Sequence, residues 1–160
     1  MSALRDARVP ARRERGLPSP PALCPEGGEG DDTKQALLIL VHGSPRPSAN
    51  AEMFRVADAI RRLATFDIVE VGFLECNEPR IPEAIDRCVE SGAGQVVAVP
   101  YFLHIGTHVA DDLPALLAEG ALRHPGVEFF LGDYIGRSEC LTDILAARAR
   151  AALTRVNRAS

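Results

Sequence analysis

The stretch ALLILVHGSP (residues 36–45) decides the fold class, because it joins an apolar run to a polar tip. Five large aliphatic residues in a row lead up to His42, and Gly43 and Pro45 follow it. An apolar run of this length, bounded by turn-forming residues, is typical of a buried strand. The imidazole of His42 can exchange a proton or bind a metal ion. A core strand that ends in such a side chain suggests a functional site at its C-terminal tip.

Runs of the same kind recur along the chain and alternate with helical patterns. Strands are predicted at 35–42, 66–75, 95–103 and 127–135, and helices at 48–64, 79–92, 108–122 and 138–155. In the first helix, Met53, Val56 and Ile60 fall three or four residues apart, Ser48 is the predicted N-cap, and Gly92 is expected to end the second helix. Near-continuous apolar strands that alternate with helices are typical of a parallel sheet. We therefore expect an α/β fold with a four-stranded parallel sheet and helices on both faces, doubly wound like flavodoxin.

The composition excludes several classes of protein. A chain of 160 residues, 46% of them hydrophobic, is expected to form one domain without needing disulfides. A net charge of −4 offers no basic stripe for nucleic acid, and no apolar run approaches the roughly 20 residues of a membrane span. No secretory signal is recognised near the start. Four cysteines lie far apart and are expected to be reduced thiols of a cytoplasmic protein, with one disulfide as the alternative; they are Cys24, Cys76, Cys88 and Cys140.

The first 34 residues differ from the rest in composition. They are rich in Arg, Pro and Gly, lack apolar periodicity, and change from basic to acidic along their length. Such a segment buries too little apolar surface to offset its chain entropy, so a disordered tail is predicted over residues 1–34. A transit peptide is the alternative, but Asp6 and Glu14 lie within the basic part and serine is scarce. A single α/β domain is expected over residues 35–156.

Three chemically suited side chains fall at the C-terminal ends of consecutive predicted strands. His42 ends the first strand, Glu75 ends the second and His108 follows the third, at intervals of 33 residues (75 − 42 and 108 − 75). Open parallel sheets bind ligands beyond the carboxyl ends of their strands, so these groups are expected at one edge. Two imidazoles and a carboxylate suit a divalent transition metal and leave a coordination position open. Structural roles are the alternative, with a hydrogen-bonded histidine and a helix-capping glutamate.

Three sequence blocks carry a resemblance to a known family. They are LLILVHGSPRPSAN, VGFLECNEPRIPEAIDRCVESGAGQVVAVPYFL and GTHVADDLP. In this order and spacing, over about residues 36–152, the chain resembles the class II chelatases. Within that class it is most similar to the half-length sirohydrochlorin chelatases of the CbiX and SirB group. The resemblance implies a chelatase-like α/β fold.

The resemblance also implies a reaction and the residues that perform it. Members of the group insert a divalent metal ion into sirohydrochlorin, a carboxylate-rich tetrapyrrole, without ATP, in cobalamin or siroheme biosynthesis. His42 and His108 match the family's metal ligands and proton acceptors, so they are the expected catalytic residues. Glu75 matches the glutamate that completes the metal site in some members. The metal, Co²⁺, Fe²⁺ or Ni²⁺, is then a substrate, and no permanently bound cofactor is expected. His104 departs from the family pattern and is either an extra ligand or simply exposed.

Substrate binding and assembly can be anticipated on the same basis. Arg46, Arg80 and Arg137 follow predicted strands and are candidate contacts for substrate carboxylates. The amides that open the first helix, with Ser44, are further candidates, and Gly43 is expected to let a flat macrocycle approach the backbone. Larger members of the class carry two lobes with the active site between them. A homodimer is therefore predicted for this single-lobe chain.

Other functions stay open at this stage. A metal- or tetrapyrrole-binding module without turnover, such as a metallochaperone, would use the same ligands. A hydrolase built on the H-G turn would need a G-x-S-x-G elbow, and the chain has none. A phosphatase R-H-G motif is excluded because Val41 precedes His42. Co, Fe and Ni all accept the predicted donor set, so the residues do not decide which metal is inserted.

Overall fold

The predicted alternation of strands and helices is confirmed by a computed structural model of the chain. It describes residues 33–104, 106 and 108–158, except for the side chains of residues 108, 109 and 155–158. The strands are β1 (Lys34–Val41), β2 (Ile68–Phe73), β3 (Ala93–Pro100) and β4 (Glu128–Leu131). The α-helices are α1 (Pro47–Arg61), α2 (Ile81–Glu90), α3 (Leu113–Arg123) and α4 (Cys140–Arg158). A π-helix (His108–Asp112) precedes α3 and a 3-10 helix (Ile135–Arg137) precedes α4.

The start of the chain lies outside the described residues up to position 32, and with it most of the predicted tail and Cys24. The described residues all belong to one compact unit that begins at Asp32. Its first strand starts at Lys34, one residue before the predicted boundary. Within this part of the chain, no helix combines the length and the apolar character needed to cross a membrane.

The sheet has the predicted doubly wound arrangement. All four strands are parallel and lie in the order β2-β1-β3-β4, which matches the first four strands of the flavodoxin order. β1 is central, and its residues from Ala36 to Leu40 are all buried. This central position explains why the run in β1 is continuously apolar rather than alternating.

Helices cover the sheet from both sides, as predicted. On the side that we call the first face, α2 and α3 pack on the alternate residues of β1 and β3. Its buried core consists of Ala36, Leu38, Leu40, Ile81, Ala84, Ile85, Cys88, Ala93, Val96, Ala98, Leu113 and Leu117. On the second face α1 packs on β1 and β2, and the buried residues are Leu37, Ile39, Ala57, Val69, Val71 and Phe73. Each fully buried Leu, Ile or Phe stabilises the fold by about 1.5–3 kcal/mol.

The helix boundaries follow the prolines and glycines of the sequence. The prediction that Ser48 caps α1 is wrong: α1 begins at Pro47, with Arg46 at the cap position and no side-chain cap. Proline fits the first helical position because its φ is already helical and no N–H is needed there. The backbone N–H of Arg80 donates to the Glu83 carboxylate at the start of α2 (2.9 Å). Gly92 follows the end of α2 at a φ of +93°, as expected for a helix-ending glycine.

The three described cysteines, Cys76, Cys88 and Cys140, form no disulfide. Cys76 and Cys140 are exposed, whereas Cys88 lies in the core of the first face. Burial raises the pKa of the Cys88 thiol to about 12, and the negative charge of Glu70 adds to the effect. Because the thiolate is the reactive form, Cys88 is an inert core residue.

Candidate metal site at the carboxyl edge of the sheet

Three loops meet at the carboxyl edge of the sheet, and each carries one of the predicted ligands. We call these loops, residues 42–46, 74–80 and the described residues of 101–112, which end in a short π-helix, the carboxyl rim. His42 directly follows β1, Glu75 lies two residues beyond β2, and His108 opens the π-helix beyond β3. The strands end at Val41 and Phe73, slightly earlier than predicted. Since all strands are parallel, the chain returns to this same edge after each one.

The first two loops of the rim are joined through their backbones. The N–H of Leu74 donates to the Val41 carbonyl and the N–H of Glu75 donates to the His42 carbonyl, both at 2.8 Å. Gly43 has a φ of +96°, and a Cβ at this position would overlap the carbonyl oxygen of Glu75. The contact between these two loops therefore requires glycine at position 43, whereas the sequence analysis explained this glycine by the approach of a macrocycle, which stays a prediction.

The His42 side chain links the first loop to the third. Its imidazole is exposed, and its ring packs edge-on against Phe102, with 6.5 Å between ring centroids and 69° between planes. Its Nδ1 lies 3.4 Å from the Gly43 carbonyl oxygen. Phe102 belongs to the same loop as His108, so the His42 ring stands beside the segment that carries the second predicted imidazole.

Two asparagines fix the loop that follows His42. Asn50 is buried, and its amide group donates to the carbonyls of Ser44 (2.9 Å) and Arg46 (3.3 Å). The Asn77 side-chain oxygen accepts a hydrogen bond from the Ser44 backbone N–H (3.1 Å). That N–H is therefore occupied by a partner within the chain, and the predicted substrate contact of Ser44 stays a prediction.

Sequence reasoning missed both asparagines. For Asn50 a signal exists, because it lies three and seven positions before Met53 and Ala57 on the apolar stripe of α1, where a polar residue needs an explanation. For Asn77 no periodic or compositional signal exists, because it lies in a loop without regular structure. Its role becomes visible only when the loops after β1 and β2 are brought together.

The three arginines proposed to bind substrate carboxylates differ in their surroundings. Arg80 donates to the Leu74 carbonyl (2.8 Å), so its guanidinium supports a rim loop. Arg137 pairs with Asp133 (2.9 Å). Arg46 is exposed in the loop that follows His42, and within the described part of the chain its guanidinium has no hydrogen bond or ion pair. Arg46 is thus the arginine best placed to receive a carboxylate.

A pair of carboxylates adds negative charge where the second loop enters α2. A hydrogen bond between the side chains of Glu78 and Glu83 raises the pKa of Glu78 and lowers that of Glu83. The Arg80 guanidinium lies 3.8 Å from the Glu78 carboxylate and partly balances this charge. The rim therefore carries charges of both signs around the predicted ligands.

The complete donor set of His42, Glu75 and His108 stays a prediction. Glu75 and His104 are exposed at the rim, and the His108 side chain lies outside the described residues. Among the side chains that the structure describes, no three histidines, cysteines, aspartates or glutamates are grouped closely enough to hold a metal ion. The backbone brings the three positions to one edge, with His42 and Glu75 in directly bonded loops.

Known proteins match the chain in sequence and in structure. A sirohydrochlorin cobaltochelatase of Methanococcus aeolicus is 40% identical over 83 residues, which cover 52% of this chain and 58% of the relative. A chloroplastic sirohydrochlorin ferrochelatase of Arabidopsis thaliana is 31% identical over 149 residues, which cover 91% of this chain and 64% of the relative. The sirohydrochlorin chelatase SirB from Bacillus subtilis subspecies spizizenii, solved in complex with cobalt, matches with a TM-score of 0.70 at 29% identity, covering 74% of this chain and 51% of SirB.

The chain spans less than two thirds of the length of each of these three proteins. The family model named CbiX matches residues 36–152, which is nearly all of the described domain. The match includes β2, β3, β4 and all but the first two residues of β1, together with His42, Glu75 and His108. The protein therefore belongs to the CbiX family.

Proposed function

We propose that this protein inserts a divalent metal ion, Co²⁺, Fe²⁺ or Ni²⁺, into sirohydrochlorin or a related tetrapyrrole without ATP. The named cobaltochelatase and ferrochelatase relatives support this reaction class. In this chain, the observation that supports metal insertion most directly is the contact among the three rim loops. The His42 carbonyl accepts the Glu75 N–H (2.8 Å), and the His42 ring packs on Phe102 of the loop that leads to His108.

The residue types fit the chemistry of metal insertion. The enzyme must hold the metal weakly, release it to the macrocycle and remove two pyrrole protons. Imidazole nitrogens bind divalent transition metals and can also accept protons near neutral pH. A closed four-thiolate cage would retain the metal instead. His42 and His108 would hold the metal and take the protons, while Glu75 would offset part of the positive charge.

The surroundings of His42 suit a large, acidic substrate. The imidazole is exposed at the edge of the sheet, so a macrocycle can reach it. Arg46 lies in the same loop and would bind a substrate carboxylate through its two-pronged donor. Asn50 and Asn77 hold that loop by its backbone, so His42 and Arg46 would keep their positions when the substrate enters and leaves.

The protein acts as a homodimer in this proposal, and as a cytoplasmic enzyme. The rim of one domain offers one wall for a macrocycle, and a second copy would supply the other. In support, the cobalt-bound SirB chain is matched over 51% of its length, so it contains about as much polypeptide again as the matched domain. The metal is a substrate, and no permanently bound cofactor takes part.

The test is a turnover measurement under anaerobic conditions. Purified protein is mixed with a large excess of sirohydrochlorin and of Co²⁺, Fe²⁺ or Ni²⁺, and the absorption spectrum of the macrocycle is followed over time. We expect many metallated products per protein molecule and no requirement for ATP. One product per protein would indicate the binding module instead, and a rate equal to that without protein would refute the chelatase. Equimolar competition among the three metals then identifies the preferred one.

A further inference from the structure

The rim loop between β2 and α2, residues 74–80, is closed at its base before the helix begins. The backbone N–H of Phe73, the last residue of β2, donates to the Pro79 carbonyl (2.9 Å). Phe73 and Arg80 also pair as an isolated parallel β-bridge. The loop therefore leaves the sheet and returns to it at the same point. Glu75, the predicted metal ligand, lies within this closed segment.

The backbone of Glu75 is hydrogen-bonded on both sides. Its N–H donates to the His42 carbonyl and its own carbonyl accepts the Asn77 N–H, both at 2.8 Å. Cys76, between Glu75 and Asn77, has a φ of +64°. A hydrogen bond between residues two positions apart, around a residue with positive φ, is typical of the rare and strained form of the γ-turn. Such a turn persists only where the surrounding structure holds it.

The Arg80 guanidinium holds the peptide group that precedes Glu75. Its Nη1 donates to the Leu74 carbonyl (2.8 Å), and because the donor is charged this hydrogen bond is a strong one. The Leu74 carbonyl and the Glu75 N–H belong to one planar peptide group. Arg80 binds one end of this group and the His42 carbonyl binds the other. The plane cannot turn without breaking one of these bonds, so together they fix the direction in which the Glu75 side chain leaves the backbone.

Arg80 is itself anchored at both ends. Its backbone N–H donates to the Glu83 carboxylate at the start of α2 (2.9 Å), and its Nε lies 3.8 Å from the Glu78 carboxylate. The guanidinium thus bonds within its own loop, whereas that of Arg46 has no such partner among the described residues. An arginine that clamps a substrate carboxylate needs its paired donors for that purpose.

We infer that Arg80 is a positioning residue for Glu75, holding the peptide group before it so that this carboxylate faces the metal ion that His42 binds. The inference rests on the proposed function, because it takes Glu75 as a ligand of the metal substrate. It assigns to Arg80 an effect on metal affinity and on the rate of insertion, and none on binding of the macrocycle.

The first test is Co²⁺ binding to the full chain without macrocycle, measured by titration calorimetry. Arg80→Ala should weaken Co²⁺ binding about 10-fold, as is usual when a group that orients a metal ligand is removed. Arg80→Lys keeps a charged donor for the Leu74 carbonyl and should recover most of the affinity. If Arg80→Ala folds poorly, Arg80→Met takes its place, because it keeps an aliphatic stem without the donors. Arg87→Ala, which removes an exposed arginine of α2, is the matched control and should bind Co²⁺ normally.

A double-mutant cycle shows whether Arg80 acts through Glu75. Glu75→Gln should also weaken Co²⁺ binding, because it removes a charged ligand. Adding Arg80→Ala to Glu75→Gln should change the affinity little further, since the carboxylate that Arg80 positions is already gone. If the two losses in Co²⁺ affinity add fully, Arg80 acts independently of Glu75 and the inference is wrong.

Steady-state rates with sirohydrochlorin distinguish a positioning residue from a substrate contact. Arg80→Ala should lower kcat about 10-fold and leave the KM for sirohydrochlorin unchanged. Arg46→Ala should instead raise that KM, because the proposed function gives Arg46 a substrate carboxylate. A raised KM with a natural kcat in Arg80→Ala would make Arg80 a substrate contact and would overturn the inference.

The outcomes separate this inference from the proposed reaction. Natural Co²⁺ affinity in Arg80→Ala, in a protein that inserts metal, overturns the positioning role and leaves the chelatase standing. Non-additive losses of Co²⁺ affinity in a protein without turnover support the positioning role and refute only the reaction. If the natural chain binds no Co²⁺, or if Glu75→Gln binds it normally, the inference falls, and the turnover measurement decides the reaction separately.

Discussion

Two histidines in this domain have opposite surroundings, although each follows a regular element of the fold. His124 ends α3 and is half-buried, and its Nε2 lies 2.7 Å from the Asp86 carboxylate of α2. Arg123 joins the same carboxylate at 2.8 Å, so these three residues form what we call the α2–α3 clamp. His42 directly follows β1 and is exposed at the carboxyl rim, where its ring packs against Phe102.

The comparison indicates that the α2–α3 clamp serves the stability of the fold, whereas the carboxyl rim serves its chemistry. In the α2–α3 clamp the polar groups satisfy one another, so they are expected to stabilise the packing of two helices and to do nothing else. At the rim the backbone is firmly bonded while the side chains of His42, Glu75 and Arg46 are exposed. Substitutions at the two places should therefore affect different measurements.

The largest effect is expected from the rim imidazoles. His42→Ala and His108→Ala should each lower the rate of metal insertion by about 100-fold or more, because each removes a metal ligand and a proton acceptor. For His42→Ala the unfolding free energy should hardly change, since His42 is exposed. Initial rates and urea unfolding provide the two measurements, and His124→Ala is the matched control that should keep the rate at low temperature. Normal turnover in both rim variants would remove the assignment.

An intermediate case is Asn50, which is buried but serves the rim. Asn50→Ala should lower the unfolding free energy by about 1–3 kcal/mol, because the substitution leaves the carbonyls of Ser44 and Arg46 without their donor. It should also lower the insertion rate, because the loop that carries His42 loses its support. Denaturant unfolding and initial rates measure the two effects. If Asn50→Ala keeps the natural insertion rate under conditions where it is fully folded, the hydrogen bonds from Asn50 are not needed for activity.

The α2–α3 clamp should affect stability alone. Burial raises the pKa of Asp86, but hydrogen bonds from His124 and Arg123 more than offset this, so the pKa is lowered in the folded state. A lowered pKa stabilises the fold above the unfolded value of about 3.9 and loses that contribution as the pH falls through the folded value. Asp86→Asn should lower the unfolding free energy by about 1 kcal/mol at neutral pH. The effect is small because the carboxylate is 36% exposed.

The unfolding free energies of the natural chain and of Asp86→Asn, measured at pH 7 and pH 3, test the direction of this pKa shift. The two unfolding free energies should approach each other as the pH falls through the lowered pKa of Asp86, because the carboxylate of the natural chain then takes up a proton. Insertion rates of Asp86→Asn at neutral pH should be unchanged. If the difference in unfolding free energy between the natural chain and Asp86→Asn grows as the pH falls, the pKa of Asp86 is not lowered in the folded state, and the inference is wrong.

The smallest effect concerns the thiols. Iodoacetamide should modify Cys76 and Cys140 in the native protein and should leave Cys88 unmodified, because burial raises the Cys88 pKa to about 12 and blocks access. Peptide mass spectrometry before and after unfolding provides the measurement, and Cys88 should react only in denaturant. Rapid native labelling of Cys88 would mean that the first face opens far more readily than its packing implies.

Much of this fold could be predicted from the sequence, because the spacing of apolar residues marks its strands and helices. The four parallel strands and the edge at which His42, Glu75 and His108 lie follow from the alternation of apolar runs with helical patterns. Strand ends were less predictable: apolar Leu74 and Tyr134 continue their runs into loops and still pack on the core, so apolarity does not mark where pairing stops.

The parts of the site that could not be predicted depend on contacts between loops. Asn77 bonds to Ser44 across two loops that are 33 residues apart in sequence, and no local pattern encodes such a contact. Gly43 was assigned to substrate access, whereas its closest constraint is the Glu75 carbonyl.

The most direct test of the metal site uses the four histidines of the chain, His42, His104, His108 and His124. Their imidazole NMR signals can be assigned by four single substitutions and followed while Co²⁺, a paramagnetic ion, is added. We predict that the signals of His42 and His108 shift or broaden first and together, while that of His124 stays sharp. If His42 and His108 keep their signals while Co²⁺ binds elsewhere, the carboxyl rim is not where this protein holds its metal.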